Sequence, residues 1–134
     1  MLHINSKAEF VPLKGQAAHN FGEKMENVLF IIIDEYSMGG CSAMYKIQAR
    51  IQQARGRYNE DFGGCFVYLF GDIKQLPPVG DTPVYSNSQV SSERLAGKLI
   101  FNNFQGSVFF YPKFSVKRTI ISNNIFNFNV MLFL

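Results

Sequence analysis

The sequence predicts an α/β domain built on a short parallel sheet, and three observations carry that prediction. Val28 to Ile33 and Cys65 to Phe70 are continuous β-branched and aromatic runs of strand length, the pattern of strands buried on both faces. Between them Met44, Ile47, Ile51 and Ala54 recur at helical spacing, with Lys46, Gln48, Arg50 and Gln52 off that stripe. Both runs end in acids, Asp34-Glu35 after the first and Gly71-Asp72 after the second. Strand, helix and strand in that order make a βαβ unit, whose crossover is nearly always right-handed. Ligands of open α/β sheets bind just beyond the carboxyl ends of such strands. Carboxylates placed there can hold a metal ion and orient a water for attack on a phosphate, so the pattern points to a nucleoside triphosphatase core.

Each element can be justified in turn. Met1 to Pro12 reads as an extended lead-in closed by Pro12. Ala17, Phe21 and Met25 recur every fourth position within 15–26, one face of a short helix that Gly22 weakens. Asn27 marks the turn into the first strand. Tyr36 to Gly40 is a loop, and the helix carrying Met44 to Ala54 should stop near Gly56. Arg57 to Gly64 is a polar loop into the second strand. Gly80-Asp81-Thr82-Pro83 is a turn, Ser86 to Ser92 is rich in Ser and Asn, and 93–104 suits one more short helix. From Tyr111 onward the chain turns rich in Phe, Asn, Ile and Val, without acids and without a period. The expected organisation is a domain over 1–110 followed by an unpatterned hydrophobic, Asn-rich tail over 111–134.

Composition bounds the function. With 134 residues the chain has room for one domain with a real core. A content of 47% hydrophobic and 17% charged residues argues for a folded domain over disorder. The net charge of +3 is compatible with a nucleic-acid partner, and the balance is uneven because Glu93 is the last acid. Cys41 and Cys65 lack metal-ligand spacing, so a reduced, intracellular protein is the simpler reading. No charged-then-apolar leader precedes the domain, and the C-terminal apolar stretch is interrupted by Asn123, Asn124, Asn127 and Asn129, so no membrane span is expected.

Two strings carry the chemistry. An apolar strand running into Asp34-Glu35 is the Walker B pattern: one carboxylate for a divalent metal on nucleotide phosphates, a second to polarise the attacking water. Alone, two acids at a strand end could simply solvate it. The string from Gly71 to Val79, Gly-Asp-Ile-Lys-Gln-Leu-Pro-Pro-Val, is more distinctive. Glycine there permits close backbone approach, Gln75 offers an amide donor and acceptor, and Pro77-Pro78 imposes a stiff, extended exit.

Ile32-Ile33-Asp34-Glu35-Tyr36-Ser37-Met38, then Phe62-Gly63-Gly64, then Gly71 to Val79 resemble consecutive motifs of the PIF-type DNA helicases, superfamily 1 class B enzymes that include the Helitron helicases. Leu2-His3 and Glu9 to Leu13 resemble the segment before Walker B, Pro83-Val84-Tyr85 the stretch after the proline motif, and Gly97 to Phe104 a later helix. The resemblance implies a RecA-like P-loop NTPase core of the first motor domain. It also implies an ATP-driven motor that moves 5′ to 3′ on single-stranded DNA and unwinds duplexes, in DNA repair, recombination and telomere maintenance. On that footing Asp34 ligates Mg2+ and Glu35 activates the hydrolytic water for ATP. Gln75 senses the γ-phosphate, Asp72 shapes the same corner, and His3 lies near the DNA path. The setting implied is nuclear or mitochondrial, although no address is readable in the chain.

The sequence departs from the family pattern in two places. It contains no Gly-x-x-x-x-Gly-Lys-Ser/Thr, so the Walker A strand and loop are expected to be missing and the core incomplete. After Phe110 it reads Tyr111-Pro112-Lys113-Phe114 where the family continues toward an Arg-Gln pair. Both ends read as cut, and the tail resembles translated non-coding sequence or a frameshift. Because oriented charge stabilisation is most of phosphoryl-transfer catalysis, these residues alone are expected to hydrolyse ATP negligibly. The alternative reading is a transposon-derived remnant without catalysis, at most a weak binding module. Arg50, Arg55 and Arg57 could face DNA, although an ordinary solvated helix face and loop is the expected reading. Phe101, Phe104, Phe109 and Phe110 are expected to pack the core in preference to stacking on bases.

Overall fold

A computed structural model of the chain describes residues 9–74, 76–104 and 129–133. The elements run α1 (Gly15–Met25), β1 (Phe30–Asp34), α2 (Cys41–Arg55), β2 (Phe66–Leu69), α3 (Ser92–Asn102) and β3 (Asn129–Phe133). Single 3-10 turns at Tyr36–Met38 and Asp61–Gly64 precede α2 and β2. β1 and β2 pair in parallel, from Phe30 opposite Phe66 to Ile33 opposite Leu69, so the βαβ unit read from the sequence is present. With three helices and this parallel pair, the fold is α/β and matches part of a RecA-like domain.

The sheet departs from the all-parallel expectation at its other side. β3 lies antiparallel to β1, from Phe30 opposite Phe133 to Asp34 opposite Asn129. Five residues of a tail without readable period thus add a strand, and the order β2-β1-β3 leaves β2 at an edge. Backbone pairing depends on neither side-chain period nor helix propensity, which is why composition did not announce it.

The expectation that both apolar runs are buried on two faces is corrected. Along β1, Ile31 and Ile33 are fully buried while Phe30 is exposed, and along β2 Phe66 and Tyr68 are exposed while Val67 and Leu69 are half-buried. Ile31 and Ile33 join Met44, Ile47 and Ile51 of α2 and Ile100 of α3 in one core, and Val67 and Leu69 pack against it. On the opposite face Phe30 stacks with Phe66 at 5.6 Å and with Tyr68 at 6.2 Å. Strand side chains alternate faces, and the helices of the described residues cover one face only.

The helices sit close to where periodicity put them. α2 ends as expected at Gly56, whose left-handed φ of 65° lets its amide and that of Arg57 close the last turn. α3 packs directly on the start of α2: a Cβ at Gly97 would overlap the Cys41 carbonyl. No helix among the described residues is long and apolar enough to cross a membrane.

Candidate nucleotide site at the strand ends

The two signature loops leave the sheet side by side. Phe70 N donates to Ile33 O at 2.8 Å, and Tyr36 N donates to Phe70 O at 3.0 Å, so the strand register continues past both strand ends. Gly71 lies against Tyr36, where a Cβ would come 3.0 Å from the Tyr36 nitrogen. The close backbone approach inferred for this glycine is therefore real. It brings Asp34-Glu35 and Gly71-Asp72 to one corner at the carboxyl end of the parallel pair.

Glu35 adopts a left-handed conformation, φ 56° and ψ 39°. For a residue other than glycine this costs on the order of 1 kcal/mol or more, and it persists only where the surroundings over-determine it. Three hydrogen bonds do so. Glu35 N donates to Asp34 Oδ1 at 3.0 Å, Met38 N donates to Glu35 O at 3.0 Å, and Tyr36 N is held by Phe70 O. The kink sends Glu35 Oε2 into the interior, where it has no hydrogen-bond partner among the described residues. Ser37 in the following turn is fully buried, and its Oγ also lacks a partner among them. Leaving a buried acceptor unmade costs about 1–3 kcal/mol. Left-handed backbone and two buried oxygens without partners among the described residues thus fall in one turn.

The rest of the corner is aromatic and acidic. Tyr36 stacks on Phe101 at 5.7 Å. Burial raises the Tyr36 phenol above its ordinary value, helped by the nearby Tyr85 and Asp72. Asp72 Oδ1 accepts a bond from Lys74 N at 2.9 Å, a local turn that shapes the loop start. Beyond it Ile73, Leu76 and Val79 are exposed. Gln75 and His3 lie outside the described residues.

A divalent cation at this corner is a matter of donor chemistry. Among the described residues no group of three or more His, Cys, Asp or Glu could cage a metal ion. Mg2+ needs no such cage, since it binds through one or two carboxylates and keeps waters and substrate phosphates as its other ligands. Asp34 at the strand end, with the orphaned Glu35 oxygen on the next residue, supplies such a sparse oxygen set.

Several side chains have other work than the sequence suggests. Arg50 is half-buried and partnered: Nη2 donates to Val11 O at 2.8 Å, Nη1 to Gln53 Oε1, and the guanidinium lies 4.8 Å from the Phe10 ring centroid. Arg55 donates to the carbonyls of Gly63, Met25 and Val28, tying the end of α1 to the segments that lead into β1 and β2. Only Arg57, paired with Glu60, matches the solvated-loop expectation. Phe101 and Phe104 pack inside, as expected, Phe104 edge-on to Phe62. Phe109 and Phe110 lie outside the described residues.

Two residues that sequence reasoning missed are Gln53, whose amide pairs with both N and O of Leu13, and Asp81. Asp81 had read as a turn residue, yet its carboxylate is buried against the start of α2. Nothing local in the sequence signals a cap contributed from so far along the chain.

Comparison with known proteins gives the family. A family model described as PIF1-like helicase matches residues 4–97, well over half of the chain. No curated protein and no solved structure matches it.

Proposed function

Because this chain belongs to the PIF1-like helicase family, we propose that its strand-end corner is the hydrolytic half of an ATP site that drives a DNA motor. The observation that carries the reading is Glu35: a residue of strained backbone whose buried carboxylate oxygen has no partner among the described residues, directly after Asp34. Asp34 would hold Mg2+, which neutralises phosphate charge when bound. The left-handed kink aims Glu35 inward, where a carboxylate can accept a proton from an attacking water. Asp72 borders the same corner, and Gln75 on its loop is the candidate γ-phosphate sensor. His3 is the candidate DNA contact. Single-stranded and duplex DNA are the proposed partners, with 5′-to-3′ movement and a role in repair, recombination and telomere maintenance in the nucleus or mitochondrion.

A second reading is a transposon-derived remnant that does not turn over. It is favoured by the absence of a phosphate-cradling Gly-x-x-x-x-Gly-Lys-Ser/Thr in these residues. The two readings share the corner and differ in turnover.

Mn2+ titration followed by amide NMR tests the site, since this paramagnetic stand-in for Mg2+ broadens only nearby signals. Asp34, Glu35, Tyr36 and Asp72 should broaden first, and Asp34→Asn should remove the effect. Broadening centred instead on Glu23 and Glu26, and unchanged by Asp34→Asn, would sink the assignment. Turnover is tested separately. Without the cradle, ATP hydrolysis should stay at background even with single-stranded DNA. DNA-stimulated hydrolysis that Glu35→Gln abolishes would rule out the remnant reading.

A further inference from the structure

The residue that precedes α2, Gly40, has no side chain to cap the open amides of the first turn. Asp81 supplies that cap from a distant part of the chain. Its side chain is only 1% exposed. Oδ2 accepts from Ser42 N at 2.9 Å and Ala43 N at 3.3 Å, while Oδ1 accepts from Thr82 N at 2.8 Å and pairs with Arg94 Nε at 3.2 Å. Cys41 N donates to Thr82 O at 2.8 Å, and Gly40 bridges to Pro83. A Cβ at Gly40 would run into the Asp81 carboxylate, so the close fit requires glycine. One buried carboxylate therefore joins the start of α2, the turn after the proline motif, and α3 through Arg94.

Both signature loops end on that carboxylate. Between Glu35 and Gly40 lie only the turn Tyr36–Met38 and Gly39. The second loop, which carries Asp72 and Gln75, leaves through Pro77-Pro78 and reaches Asp81 directly after Gly80. Proline stiffens that exit. The left-handed Glu35 turn is thus held on the sheet side by Tyr36 N to Phe70 O and on the helix side by the Asp81 clamp.

We propose that Asp81 is a positioning residue that keeps the Glu35 turn in its strained form by fixing the start of α2 to the turn that follows the proline motif. The proposal rests on reading the Asp34-Glu35 corner as the nucleotide site, but its test does not require nucleotide.

Amide hydrogen exchange on the chain, with Asp81→Asn and Arg94→Gln, provides the test. The decisive reporters are Met38 N, bonded to Glu35 O, and Gly39 N, bonded to Tyr36 O. Asp81→Asn should speed exchange at both by about tenfold together with Ser42 and Ala43, as loss of a charge-assisted hydrogen bond predicts. Ile31, Ile33 and Ile47 should keep their protection. Arg94→Gln should give the same pattern with a smaller rise. A rise confined to Ser42, Ala43 and Thr82 would mean a helix cap and nothing more, and would overturn the proposal. Should Asp81→Asn fail to fold, Arg94→Gln decides by the same comparison, since Arg94 is 40% exposed. Failure of the nucleotide reading would show differently, as loss of local Mn2+ broadening with this exchange pattern intact.

Discussion

At Glu35 the backbone works against stability. Its φ of 56° and its Oε2, unpartnered among the described residues, are both unfavourable, and glycine would remove both at once. Glu35→Gly should therefore stabilise the fold by about 1 kcal/mol, seen as a higher urea midpoint at unchanged slope. Glu35→Gln keeps the strained backbone and should move the midpoint far less. A destabilised Glu35→Gly variant would mean that the carboxylate holds the turn together, against the view that the turn is strained to present it. Asp34-Glu35 was legible as a motif because an apolar strand followed by two acids is a local pattern. The kink was not, because two of the contacts that hold it, Phe70 and the Asp81 clamp, come from elsewhere in the chain.

Among the elements, the α2–α3 packing depends on one missing side chain. Gly97 stands against the Cys41 carbonyl, and backbone there has no rotamer into which it can retreat. Gly97→Ala should cost about 3 kcal/mol, at the upper end for overpacking, by levering α3 off the start of α2. Gly56→Ala, strained only by its left-handed φ at an open helix end, should cost about 1 kcal/mol. Thermal melts of the two variants give the comparison, and equal losses would contradict the assigned contact. The same helix junction carries the Lys46–Glu93 ion pair at 3.4 Å, with Lys46 almost fully buried, so α3 is tied as well as packed. Both helices could be read from their spacing. Their junction could not, since a glycine within a helical pattern reads only as a weakness.

At the scale of the molecule, the described residues cover the sheet on one face. Phe30, Phe66 and Tyr68 form an exposed aromatic row on the other, beside the edge strand β2, which carries no charge to discourage pairing with another chain. Phe66 is 65% exposed, so replacing it with a charged residue disturbs little packing. Phe66→Lys should lower concentration-dependent scattering while changing stability by less than about 0.5 kcal/mol. A large loss of stability with no gain in solubility would show that this row is internal support. The continuous apolar run of β2 had suggested burial on both faces. Composition shows what a strand can bury against, whereas coverage depends on which elements surround it.

By itself the sequence determined the βαβ order, the three helices, the acids at the strand ends and the helicase family, because each is written in local spacing or in a contiguous motif. Tertiary structure alone decided the antiparallel β3, the exposed aromatic face, the left-handed Glu35 and the buried Asp81 cap. Those features arise from backbone pairing and from contacts between residues far apart in the chain. No local period records such contacts, since the energy that selects them exists only once the helices have closed on the sheet.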